Sequence, residues 1–133
     1  LEVAAGLKKN ITVFGIDHDT PDGSCVRDYV HVMDLAKAHV TALEYLMDNG
    51  KSRVLNLANG VGYSVFDVIE AVKQVTGTDI TIINGKKREG DPAILIGDAN
   101  LASAKLNWAP NYSDLDIQVA HAWKWFKSYY KLD

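Results

Sequence analysis

Two short segments carry the side chains best suited to gripping an anion: Arg27-Asp28-Tyr29 and Arg88-Glu89-Gly90-Asp91-Pro92. A guanidinium presents a planar fork of donors that matches phosphate oxygens, so Arg27 could reach a diphosphate. The other reading of Arg27 is an exposed ion pair on an edge strand. The second segment can offer a guanidinium to phosphate and a carboxylate to ribose hydroxyls, and its composition equally suits a solvated turn. Gly60-Val61-Gly62 lies between a strand and a helix, the setting of a dinucleotide fingerprint. A complete G-x-G-x-x-G would need glycine where Val65 stands, so these residues read as a tight turn.

Groups for catalysis are missing. Oxidising a hydroxyl to a ketone needs a nicotinamide pocket and a positioned base, and the sequence holds no Tyr-x-x-x-Lys. No catalytic residue and no cofactor-binding residue is expected. His18, His31, His39 and His121 lack metal-ligand spacing, so no metal site is expected either. Cys25 has no activating neighbour in sequence and reads as an inert thiol.

The hydrophobic pattern predicts the elements that must position these groups. Ile11–Phe14 and Cys25–Val32 read as strands, separated by a polar loop with the turn signal Pro21-Asp22-Gly23. They are expected to pair as an antiparallel hairpin. A helix is predicted from Asp34, its cap, to about Asp48, with Ala36, Val40, Leu43 and Met47 as its stripe. Val54–Ala58 suits a buried parallel strand. Ser64 and Asp67 form a capping box for a helix ending at Gly77. Ile80–Ile83 reads as a strand, Lys86–Pro92 as a charged loop, and Ala93–Ile96 as a short edge strand. A small helix covers Asn100–Leu106. A last one follows a second capping box, Ser113 with Asp116, and carries Leu115, Val119, Trp123 or Ala122, Phe126 and Tyr130. Strands alternating with helices give an α/β fold.

At 133 residues and 47% hydrophobic, the chain can bury one compact core. A net charge of −3 gives no reason to expect nucleic acid or an anionic membrane as partner, and no apolar run is long enough to span a bilayer. The single cysteine fits a reducing compartment, so a cytoplasmic location is expected. Leu1 to Lys9 reads like the tail of a helix with no cap ahead of it, which suggests a piece of a longer chain.

Several stretches resemble the UDP-glucose 4-epimerases, a family of extended short-chain dehydrogenase/reductases. They are Ile11 to Gly15, Thr20 to Ala36, Asn56 to Val65, Arg88 to Ala93, Leu106-Asn107-Trp108, and the helix with Ala122-Trp123-Lys124-Trp125. The resemblance implies a small mixed α/β substrate-binding domain, residues 1–133, with one or more elements belonging to a missing amino-terminal Rossmann domain. In such an enzyme NAD takes hydride from C4 of a UDP-hexose and returns it to the other face. NAD is therefore implied for the whole enzyme and not expected to bind this chain alone, which should be inactive. Carried over by position, Thr12, Val13 and Phe14 match a strand bordering uracil, and Arg27 and Arg88 match two arginines on the diphosphate. Asp91, with Glu89 and Gly90, matches a loop meeting the ribose. Leu95 matches a position that separates hexose from N-acetylhexosamine substrates, and a leucine there favours UDP-glucose and UDP-galactose. The sequence departs from the family in reading Lys86-Lys87-Arg88 in place of Pro-Arg-Arg. A homodimer is implied for the whole enzyme. Self-association of this chain is expected, through the strand edge of Val54–Ala58. The competing readings are a UDP-sugar decarboxylase or dehydratase, and a non-catalytic UDP-sugar-binding or interaction module.

Overall fold

In the computed structural model, which describes residues 1–132, the strands divide between two small sheets. The elements run β1 (Ile11–Phe14), β2 (Val26–Asp28), α1 (Val32–Met47), β3 (Gly62–Ser64), α2 (Val65–Thr76), β4 (Ile82–Gly85), β5 (Ile94–Leu95), α3 (Asn100–Leu106) and α4 (Leu115–Tyr130). One sheet is the parallel pair β1–β4, with Ile11 opposite Ile82 and Phe14 opposite Gly85. The other has the order β3-β2-β5, with β2 antiparallel to β3 and parallel to β5.

The expected β1–β2 hairpin does not form. The polar segment between them closes on itself instead: His18 N–H donates to Gly23 O at 2.9 Å, and Thr20 Oγ1 to Ser24 O at 2.7 Å. That knot of turns leaves β1 to find its partner far along the chain. The Ile80–Ile83 strand is realised two residues later as Ile82–Gly85, and Ala93–Ile96 narrows to the edge strand Ile94–Leu95.

The helix ends show which local signals prevailed. At α2 both halves of the Ser64/Asp67 capping box are made, and Gly77 ends the helix at φ 66°. At α1 the cap is His31, whose Nδ1 accepts from Met33 N–H at 3.0 Å, so Asp34 is not the cap. Asp34 is buried within the first turn, and its two carboxylate oxygens accept the backbone N–H groups of Asn111 and Tyr112 at 2.9 and 3.0 Å. Trp108 donates its indole N–H to the Asp34 carbonyl at 2.9 Å, so one residue anchors the whole approach to α4. At α4 the cap is Asp114, accepting from Ile117 N–H at 3.0 Å, in place of the Ser113/Asp116 box.

Two apolar clusters hold the elements. The larger joins Val13, Ile69, Val72, Ile80, Leu115 and Val119, with Leu1, Val3 and Ala4 packed against it. The smaller centres on Trp108 with Ala38, Ala102 and Leu106. The expected stripe of α1 is not the buried one: Val40, Leu43 and Met47 are 57%, 58% and 77% exposed, while Ala38 is buried. Val54–Ala58 likewise forms no strand among the described residues, and Val54 is 92% exposed. A strand exists only where a neighbour completes its ladder, and none lies beside this run. No helix of the described residues is long and apolar enough to cross a membrane. Leu1 to Ala5 makes one helical turn, with Ala5 N–H on Leu1 O at 2.9 Å, and no longer helix.

Removing the Asp34 carboxylate takes the acceptor from the part-buried backbone donors of Asn111 and Tyr112. We expect Asp34→Ala to cost about 2–4 kcal/mol in urea unfolding, and Asp34→Asn, which keeps one acceptor, to cost less. A loss below about 1 kcal/mol for Asp34→Ala would show that Asn111 and Tyr112 find other partners.

Candidate functional site

The loop from Lys86 to Pro92 leaves the end of β4 and enters β5, so it spans the gap between the two sheets. Each end of the loop meets one of the segments singled out above. At its start the Arg88 guanidinium carbon lies 3.9 Å from the centre of the Phe14 ring, a cation–π contact at the end of β1. At its end Asp91 forms an ion pair with Arg27 of β2 through Oδ1 and Nη2. Between the two, Gly90 takes φ 75°, a left-handed turn that a side chain would strain. Asp91 N–H reaches back to Arg88 O at 3.4 Å.

These contacts tie one loop to both sheets, Arg88 to Phe14 and Asp91 to Arg27. Leu95 stands opposite Arg27 in the β2–β5 ladder and is 59% exposed. Phe14 is 40% exposed and Thr12 is half-buried, while Glu89 and Gly90 are open to solvent. Val13 is the exception. Strand alternation turns its side chain into the larger core, where it is 1% exposed, so only its backbone can border a ligand.

Asp28 and the glycine turn account for each other. Its carboxylate accepts Asn59 N–H at 2.8 Å, Gly60 N–H at 2.9 Å and Gly97 N–H at 3.3 Å. The amide donors that would cradle a phosphate in a dinucleotide fingerprint are thus spent on the chain's own carboxylate. Asp22 does similar work on the other side. It accepts the Ser24 N–H and Oγ–H, each at 2.8 Å, and the Ser64 hydroxyl. Burial pushes the Asp22 carboxyl upward, but the Ser64 and Ser24 hydrogen bonds outweigh it and hold the group below its ordinary value.

One constellation escapes sequence reading. His18 Nε2 lies 3.1 Å from Cys25 Sγ, and Cys25 Sγ lies 3.5 Å from Asp91 Oδ2. His18 and Cys25 are both buried, each 5% exposed. The pairing is no sign of an activated thiol. Burial, and then the neighbouring Asp91 carboxylate, raise the Cys25 thiol above its ordinary value, so it stays protonated. The signal for this group was present only as three unrelated residue types, because His18 and Asp91 meet solely through the fold.

A second polar group lies elsewhere. His31 Nε2 and His121 Nδ1 are 3.1 Å apart, and the Tyr112 ring lies tilted against His31 with centroids 4.5 Å apart. They border an open cavity of about 510 Å³ that Met33, Gln118 and Trp125 help to line. Trp125 is 63% exposed.

Comparison with known proteins matches the chain to a family. A family model described as GDP-mannose 4,6 dehydratase matches residues 1–117. The UDP-glucose 4-epimerase of Halalkalibacterium halodurans is 48% identical over 129 residues, which cover 97% of this chain and 39% of that protein. A crystal structure of a UDP-glucose 4-epimerase superposes with a TM-score of 0.94 at 40% identity, over 99% of this chain and 40% of that one. Another, from Stenotrophomonas maltophila with bound NAD and formylated UDP-arabinopyranose, gives 0.92 at 42% identity, over 98% and 38%. The mixed α/β fold is therefore that of an extended short-chain dehydrogenase/reductase, as the resemblance implied. The chain spans about 39% of the length of the curated relatives it matches.

A buried, protonated thiol should be slow to alkylate. At pH 8 we expect iodoacetamide to label Cys25 in the folded protein at least about tenfold more slowly than in urea. Equal rates would show a thiol that is neither buried nor held.

Proposed function

This chain belongs to the GDP-mannose 4,6 dehydratase family, and within that family we propose that it forms the UDP-sugar-holding portion of a UDP-hexose 4-epimerase. One observation carries the reading. The Lys86–Pro92 loop pairs with both sheets, Arg88 with Phe14 of one and Asp91 with Arg27 of the other, although the two arginine segments are far apart in sequence. In this reading Arg27 and Arg88 grip the diphosphate, and Phe14 and Thr12 flank the base with the Val13 backbone. Asp91, beside Glu89 and Gly90, meets the ribose, and Leu95 limits bulk at the sugar. A leucine there favours UDP-glucose and UDP-galactose over N-acetylated sugars.

A firm hold on the nucleotide is what such a reaction needs from these residues. The sugar must present both of its faces to the same redox partner while the rest of the substrate stays in place. Binding energy far from the reacting carbon is then spent on orientation. NAD does not fit the residues present: the glycine turn lacks its third glycine, and its amides are held by Asp28. The redox chemistry belongs, in this proposal, to sequence outside these 133 residues. The exposed face of α1 and the unpaired run Val54–Ala58 supply a surface for that larger body to cover, or for a second copy of the chain. A cytoplasmic setting and a homodimeric whole enzyme are part of the same proposal.

Titration with UDP, followed by amide chemical shifts, tests the reading. We expect saturable binding that uridine alone does not match. Arg27→Ala and Arg88→Ala should each weaken it by about tenfold, since each removes a charge-assisted contact. Binding that is indifferent to both arginines would overturn the assignment. Addition of NAD and UDP-galactose to the 133-residue chain is expected to give no epimerisation, and measurable turnover would refute the division of labour proposed here. Light scattering at high concentration should show self-association, and a clean monomer would contradict the sticky α1 face.

A further inference from the structure

We propose that His18 and Cys25 are positioning residues that fix Asp91, and through it Arg27, for a diphosphate ligand; the role rests on the UDP-sugar reading above. Asp91 is the one half-buried residue in a loop whose other members, Lys86 to Gly90 and Pro92, are exposed. An aspartate on such a loop would ordinarily sample several rotamers. Here both of its oxygens are held: Oδ1 accepts from Arg27 Nη2, and Oδ2 accepts from Cys25 at 3.5 Å.

The proton count sets the direction of the chain. An ionised carboxylate can only accept, so the thiol proton points at Asp91. The sulfur must then receive its own hydrogen bond from His18 Nε2–H, 3.1 Å away. This places the His18 proton on Nε2 and leaves Nδ1, which is buried and without a partner among the described residues, as a bare lone pair rather than a stranded N–H. The donors run one way, from histidine to thiol to carboxylate, and the guanidinium closes the far end. Gly15 makes room for it. With φ 82° and no side chain, it lets the imidazole approach to where a Cβ would stand 2.5 Å from Nε2.

The three donor atoms lie within 4.8 Å of one another, a spacing that a metal ion could also bridge. Arg27 argues against a cation there, because its positive charge already occupies the other oxygen of Asp91. The consequence for Arg27 is order. Its Nη1 donates to Val26 O at 2.7 Å and its Nη2 to Asp91, which fixes the plane of the fork and leaves its other N–H groups to meet phosphate oxygens. A long side chain that is already ordered loses less freedom on binding, an effect of about three- to tenfold in affinity.

The linkage has a definite sign. Burial pushes the Asp91 carboxyl upward, but the Cys25 hydrogen bond and the Arg27 charge outweigh it, so the group titrates below an ordinary aspartate. The order it confers is therefore complete above the ordinary aspartate range and is lost as pH falls through the lowered value.

Carbon-detected NMR on the wild-type protein gives a test that needs no variant to fold. The Cys25 Cβ resonance should follow the Asp91 carboxyl titration with the same midpoint. Cys25→Ala removes the donor and should raise that midpoint, with UDP affinity falling about three- to tenfold. Cys25→Ser keeps a donor and should restore both to within about twofold of wild type. A packing role alone would weaken both variants alike and leave the midpoint unmoved. The proposal is overturned if Cys25 Cβ ignores Asp91 protonation, or if Cys25→Ala binds UDP as wild type does. Should wild-type protein fail to bind UDP while the two carbons still titrate together, the ligand reading is what has failed, and the positioning role with it, though the buried chain of hydrogen bonds remains.

Discussion

The pairing of Arg27 with Asp91 is the contact on which the shape of this surface depends. The two side chains are 24% and 26% exposed, neither bare to solvent nor fully withdrawn from it. Desolvation and solvent screening offset much of the attraction between charges so placed, and little of it survives as net stability. Its importance is geometric. One strand pair ends at Phe14 and Gly85, the other sheet holds Arg27 and Leu95, and the Lys86–Pro92 loop spans the space between them. Without a tie at its far end, that loop would be an exposed strap. With it, the loop joins Phe14 of one sheet, through Arg88, to Arg27 of the other, through Asp91.

What could be read from the sequence was local, and what could not was remote. The Ser64/Asp67 box and the Gly77 stop are made by residues a turn apart, so the pattern alone suffices. Both arginine segments were visible as chemistry, and the resemblance gave them roles; the structure shows how they come to lie together. The β1–β2 hairpin failed because nothing in the pattern says that the polar segment after Gly15 would close on itself and send β1 to β4. Asp34 looked like a cap because caps and buried clamps use the same residue, and only Asn111 and Tyr112 distinguish them. The His18–Cys25–Asp91 group had no local trace at all.

The stripe of α1 is instructive in a different way. Val40, Leu43 and Met47 have the spacing of a buried face and are exposed. Periodicity states that a face wants cover and says nothing about what covers it. The unpaired run Val54–Ala58 makes the same point for a strand, since its composition asks for neighbours that the described residues do not supply. Both departures concern surface that this stretch of chain leaves open, and neither touches the face built around Arg27.

The parallel ladder between β1 and β4 has a kinetic corollary. Ile11–Phe14 cannot pair with Ile82–Gly85 until α1 and α2, which lie between them in the chain, have collapsed enough to bring the ends together. Closing so long a segment costs entropy that no nearby contact repays, and parallel pairing is slow for that reason. The helices and their caps can assemble early, whereas the approach of Phe14 to Arg88 must wait for this final closure. The contact between Phe14 and Arg88 is thus expected to be a late product of folding.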